Sequence, residues 1–243
     1  FPLQTLVADQ LSSTFYIQEE WAFRDSDSQE TRTLDIFAQK YFWQKEKVQP
    51  HTRPGLNLLI ECKKSESPYV FFLSPNRTYA TDFPIISGLH QDSIALKTDD
   101  DRSTYNYPII RCLDLHSHPF LSDEIPSAMT FSKAIHIGKK TELNGDEPFK
   151  SLVLPLIKGL RYFKEAATPP NTVLYFDCGI TLGVALIDAP LLGISSKNDD
   201  IINLDWVRVF RRTSEEGKHS LERFKCFAID IIHKDFLDIY LNE

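Results

Sequence analysis

Three side chains carry the strongest chemical signal in this sequence: Asp35 in Leu34-Asp35-Ile36, and Glu61 and Lys63 in Ile60-Glu61-Cys62-Lys63. Each sets a charge inside an apolar run, which costs free energy unless the charge is solvated, paired or bound to a cation. Side chains alternate along a strand, so Glu61 and Lys63 point to one face and Leu58, Ile60 and Cys62 to the other. A loop of roughly a dozen residues separates the two apolar runs, enough for an antiparallel pair. That pairing would bring Asp35 and Glu61 toward one cation, with Lys63 beside them. Two carboxylates are hard oxygen ligands suited to Mg²⁺. A cation held there activates water and offsets the charge that builds on a phosphodiester under attack, while a neighbouring ammonium orients the water. The competing account is a structural ion pair of Glu61 with Lys63 or Lys64.

The elements that must position these residues follow from periodicity. Leu3, Leu6, Val7 and Leu11 recur at helical spacing and predict a helix over 1–11. Aromatic and β-branched runs predict strands over 14–23 and 33–43, and the strongly apolar 56–63 predicts a third, central strand. Residues 65–126 are irregular, with Pro68, Pro75, Pro84, Pro108 and the acidic run Asp99-Asp100-Asp101, and offer one short or edge strand at 69–73. Ala128, Lys133 and Ala134 suggest a helix over 127–137. A stronger one covers 147–166, where Leu152, Val153, Leu156, Ile157, Leu160 and Phe163 keep a 3/4 spacing and Pro155 predicts a kink. Strands over 172–176, 183–187, 206–211 and 223–232 and a closing helix over 234–241 complete the chain. Without a linker or repeat, the expectation is one α/β domain over 1–243, a mixed β-sheet flanked by helices.

Composition bounds the function. The 243 residues are 42% hydrophobic and 25% charged, which excludes a disordered or coiled-coil chain. Lys and Arg number 27 against 34 Asp and Glu, a net charge of −7, so a protein that coats nucleic acid through bulk charge is disfavoured. Local grip on phosphates through a metal is still open to it. The four cysteines are widely spaced and form no CxxC, which reads as reduced thiols in a cytoplasmic protein. No apolar run approaches the roughly 20 residues of a membrane span. The chain opens at Phe1 and its one methionine is Met129, so the first helix is expected to be truncated.

A helix, a β-meander, Asp35 in Thr33-Leu34-Asp35-Ile36-Phe37-Ala38, and Glu61-Cys62-Lys63 ending an apolar strand together resemble the PD-(D/E)XK nuclease superfamily, with its restriction endonuclease-like fold. The resemblance covers the opening third closely and extends loosely to the helix near 151–163 and the late strands. It implies a Mg²⁺-dependent endonuclease on DNA, Mn²⁺ substituting, with Asp35 and Glu61 as metal ligands and catalytic residues and Lys63 as the catalytic lysine. Leu34 stands where the proline that names the motif would be. Many members add an acidic residue in the first helix; here that helix offers Asp9 and Gln4, and Glu19 or Glu20 on the next strand could stand in. Expected partners are DNA, a second copy in a homodimer, or a protein of a defence or repair system. The alternative is a catalytically inactive nuclease-fold protein that binds DNA or a protein. A further enzyme class is raised by His116-Ser117-His118-Pro119, similar to the zinc motif of JAMM-type isopeptidases, although Thr130 stands where that family places its aspartate. Arg208, Arg211 and Arg212, and Lys158, Arg161 and Lys164, read as solvated faces or phosphate contacts.

Overall fold

The computed structural model describes residues 2–42, 52–74, 83–89, 93–100, 103–112, 114–121, 125–138, 140–166, 176–195, 200–213 and 225–242. The chain opens with helix α1 (Pro2–Ser12) and runs through strands β1 (Tyr16–Arg24), β2 (Thr31–Tyr41), β3 (Thr52–Lys64) and β4 (Tyr69–Leu73). Short strands β5 (Ile85–Ser87), β6 (Ser93–Lys97) and β7 (Thr104–Pro108) follow, then β8 (Ser127–Ile137) and β9 (Lys140–Asn144). A π-helical turn at Phe149–Val153 leads into helix α2 (Leu154–Ala166). The remaining strands are β10 (Phe176–Asp188), β11 (Leu191–Ser195), β12 (Ile201–Asn203), β13 (Trp206–Thr213) and β14 (Lys225–His233), and helix α3 (Leu237–Tyr240) closes the chain.

Among the described residues, twelve strands form one mixed sheet in the order β1-β2-β3-β10-β14-β13-β8-β4-β11-β12, with β5 added beside β10 and β9 beside β8. The β1-β2-β3 meander is antiparallel, and β10 then runs parallel to β3 over the full length of both 13-residue strands. Helices cover the two faces. Leu152, Val153, Leu156, Ile157 and Leu160, from the π turn and α2, pack with Trp21, Leu34, Phe37, Leu59, Ala185 and Ile187 on one side. Leu3, Val7, Ala8 and Leu11 of α1, with Leu237 and Tyr240 of α3, pack with Ile36, Leu58, Ile60, Val184 and Leu186 on the other. A strand buried on both faces needs a nearly continuous apolar run, which Leu58-Leu59-Ile60 in β3 and Leu182–Ile187 in β10 supply.

Several sequence expectations change here. Residues 127–137 are the strand β8, not a helix: β4, β9 and β13 all pair with it, and ladder formation overrides the helix preference of Ala128, Lys133 and Ala134. β4 lies inside the sheet between β8 and β11 and is no edge. The run 183–187 belongs to one long strand, β10, while 172–175 lie outside the described residues. Gly183 looked like a strand start, yet its role is packing, since a Cβ there would come within 3.1 Å of Leu160 Cδ1 on α2. Pro155 stands in the first turn of α2, directly after the π-helical turn Phe149–Val153, and the helix continues through it to Ala166.

Candidate active site

The three charged residues meet at the sheet corner made by β1, β2 and β3. Ladder pairing between β1 and β2 runs from Tyr16↔Gln39 to Glu19↔Ile36, skips Glu20 and Asp35, and resumes at Trp21↔Leu34 in the same register. Glu20 there has a left-handed backbone, φ 49°. In a regular strand, residues two apart share a face; here Ile36 and Ala38 pack under α1, whereas Leu34 and its partner Trp21 pack under α2. Both strands therefore swap faces at Glu20 and Asp35. A left-handed glutamate costs about 1–2 kcal/mol. Burial of Trp21 and Phe23 against Tyr162 and Phe163 offsets it, at about 1.5–3 kcal/mol for each large apolar side chain removed from water.

The β2–β3 ladder ends at Ile36↔Ile60. Beyond it the two strands part, and the Cys62 N–H donates to the Asp35 carboxylate, at 2.7 Å to Oδ2, instead of to a main-chain carbonyl. Glu61 sits at the fork. It stands beside Ala185, and Lys63 beside Ile187, both from the apolar layer under α2, so the Glu61 side chain is 6% exposed. Burial, followed by the neighbouring charge of Asp35, pushes the Glu61 carboxyl up to about 8; Lys63 opposes the shift, and Glu20 adds slightly to it. Lys63 Nζ lies 3.5 Å from Glu61 Oε2 and is one-third exposed. The alternation expected along β3 therefore holds: Glu61 and Lys63 share a face, and Leu58, Ile60 and Cys62 pack on the α1 side. Lys64 points elsewhere and pairs with Asp188 at 3.7 Å.

Of the acidic residues left open for a fourth position, Asp9, Glu19 and Glu20 are all exposed, and Glu19 sits within the regular ladder opposite Ile36. Glu20 is the one at the strand break. It is held by Gln4, whose Nε2 donates to Glu20 Oε1 and to the Asp35 main-chain oxygen, both at 3.0 Å. Gln4 is buried in the stripe of α1 that also carries Leu3, Val7, Ala8 and Leu11. A polar side chain at a stripe position is the signal by which the sequence could have shown it.

The donor chemistry fits a hard divalent cation. Asp35 keeps one carboxylate oxygen beyond the one bonded to Cys62, and Glu61 is buried beside like charge with one ammonium at 3.5 Å. Among the described residues, however, no group of three or more His, Cys, Asp or Glu is arranged to hold a metal ion. The other motifs resolve differently. His118 lies between 3-10 turns at Leu115–Ser117 and Pro119–Leu121 rather than on a strand, and its Nδ1 accepts the Phe120 N–H; the side chain of His116 and residue Asp123 lie outside the described set. Two histidines on one strand face, the basis of the zinc reading, are therefore missing from this segment. Arg208 is neither a solvated nor a phosphate-facing cation: it is buried against Asp230. Lys158 and Arg161 bind Asp25 and Asp27 in the β1–β2 turn. None of the four cysteines forms a disulfide. No helix among the described residues is long and apolar enough to cross a membrane. Comparison of the chain with protein-family models, with curated proteins and with solved structures finds no match.

Proposed function

We propose that this chain is a metal-dependent endonuclease that hydrolyses phosphodiester bonds in DNA, built on a restriction endonuclease-like core. The observation that carries the reading is the fork at the end of the β2–β3 ladder, where the Asp35 and Glu61 carboxyls converge with Lys63 3.5 Å from Glu61. Helix α1, the antiparallel β1–β3 and, after the intervening β4–β9, helix α2 leading into β10 parallel to β3 support the fold part of the reading. Asp35 and Glu61 would hold Mg²⁺, or Mn²⁺ in its place, and that ion supplies charge neutralisation at the phosphate and an acidified water. Lys63 contributes an ammonium that orients the attacking water and stabilises negative charge on the phosphate oxygens. Asp35 is held in place through its bond from the Cys62 N–H, so its free oxygen needs no reorganisation to take a ligand. The test is cleavage of plasmid DNA in Mg²⁺, quenched by EDTA, by the wild type and by Glu61→Ala. We expect cleavage by the former and none by a folded Glu61→Ala protein. Cleavage by that variant, or a wild type inert with both Mg²⁺ and Mn²⁺, overturns the assignment.

A second reading is a nuclease-like chain without catalysis that binds DNA or a protein. It is favoured by the absence, among the described residues, of a three-donor group. Binding of a DNA duplex by a wild type that never cleaves it would establish this reading.

A further inference from the structure

We propose that Gln4 is a positioning residue whose side-chain amide closes the gap in the β1–β2 ladder and keeps the Asp35 carboxylate turned to β3. The inference rests on the assignment of Asp35, Glu61 and Lys63 as the working site. Its physical basis is the accounting of donors and acceptors at the strand break. An antiparallel pair ordinarily exchanges main-chain bonds between facing residues. Glu20 and Asp35 face each other in register but do not pair, because the left-handed turn at Glu20 rotates its peptide out of the ladder. The Asp35 carbonyl would then be an orphan inside the sheet, at a cost of about 1–3 kcal/mol. Gln4 supplies the missing donor from a neighbouring helix, and the same nitrogen donates to Glu20 Oε1. One amide thus ties both residues of the break to α1.

This placement is not explained by packing. Gln4 is 5% exposed within the apolar stripe of α1, where leucine or methionine would be buried at lower cost. Its polar end reaches the one facing pair, Glu20 and Asp35, that is skipped in the β1–β2 ladder. Two residues along β3 from the last β2–β3 pair, the opposite side of Asp35 accepts the Cys62 N–H. Asp35 is therefore held at its carbonyl by α1 and at its carboxylate by β3. Releasing the first grip frees the peptide to swing and loosens the second.

The experiment compares wild type with Gln4→Met, which keeps side-chain length and removes both donors, and with Gln4→Ala in case the methionine variant fails to fold. Amide exchange is read at Cys62 in metal-free protein, with the Leu59 amide as an internal reference, and Mn²⁺ affinity is read by calorimetry. We expect Cys62 exchange to accelerate about tenfold relative to Leu59 and Mn²⁺ binding to weaken about tenfold or more, as for other residues that orient metal ligands. Cys62 exchange within twofold of wild type in a folded variant overturns the proposal, whatever the metal does. A wild type that binds no Mn²⁺ overturns the nuclease assignment instead, and the metal-free exchange at Cys62 still decides the role of Gln4.

Discussion

Two buried carboxyls in this sheet live in opposite circumstances. Asp230 on β14 is 0% exposed and fully answered: Arg208 Nε and Nη2 reach its two oxygens at 2.7 and 3.0 Å, and the Tyr240 hydroxyl donates at 2.9 Å. Arg208 is itself enclosed by Phe83, Phe120 and Trp206, and its Nη1 donates to the Phe120 carbonyl. Glu61 on β3 is nearly as deeply buried but has one ammonium at 3.5 Å and a second carboxylate as neighbour. The first arrangement is charge-balanced and has no use for a ligand. The second has two carboxyls to one ammonium, so once Glu61 ionises it is short of positive charge, and a cation is the simplest group that would complete it. Burial alone therefore says little about function; the balance of charge around the buried group is what separates a strut from a site.

The largest test of that contrast is Asp230→Ala. Removing one partner of a buried pair leaves Arg208 charged and unpaired among aromatic rings, and should lower stability by about 3–5 kcal/mol in urea unfolding. A loss below about 1 kcal/mol would mean that the pair is solvated in solution and the contrast false.

Glu61→Gln should behave in the opposite sense. Its folded-state pKa lies above the ordinary value of 4.5, at about 8. The folded protein then binds more protons than the unfolded chain between those limits. Stability without divalent cation should therefore fall as pH rises from about 4.5 to about 8, by at most about 1.4 kcal/mol per pH unit. Glutamine, which carries no charge, should flatten that slope and leave the protein at pH 8 as stable as wild type or more so, while abolishing the stabilisation expected from Mg²⁺. An unchanged slope in Glu61→Gln would place the titration elsewhere.

The smallest effect on stability, within about 1 kcal/mol, is expected from Lys63→Ala, because a one-third exposed ion pair contributes little. Cleavage should nonetheless fall by about 10²–10⁴-fold. Calorimetric Mg²⁺ affinity should stay equal or rise, since a positive charge beside the cation is gone. Normal cleavage with a lowered melting temperature would make Lys63 a structural partner of Glu61 and nothing more.

Much of this corner was legible from the sequence because it depends on local periodicity. Alternation in β3 places Glu61 with Lys63, and a short connection pairs β2 with β3. What could not be read were features set by partners distant in the chain. The helix-prone 127–137 becomes a strand through pairing with β4, β9 and β13. Arg208 looked like one of several solvated arginines until β14 and α3 surrounded it with Asp230 and Tyr240. The choice of Glu20 over Glu19 turns on a single left-handed residue, and glutamate carries no propensity signal for that conformation. The weakly periodic stretch 65–126 conceals β5, β6 and β7, whose strands of three to five residues are too short to show alternation.

The ladder between β3 and β10 has a further consequence for how the chain avoids error. A slip of one position along β3 would exchange Glu61 and Lys63 for Cys62 and Lys64 on the α2 side, and turn both charges into the layer packed by Leu58 and Ile60. Such a misthreaded sheet could keep many of its main-chain bonds. Yet β10 is engaged on its far edge as well, antiparallel with β5 at Gly179–Thr181 and parallel with β14 at Val184–Ile187. With β10 fixed in this way, a slip of β3 must break its own two registers at once, with β10 and with β2, before either charge can change sides. The long ladder works as a vernier: it converts the cheap, repetitive specificity of main-chain bonding into the placement of two side chains that nothing in the main chain distinguishes.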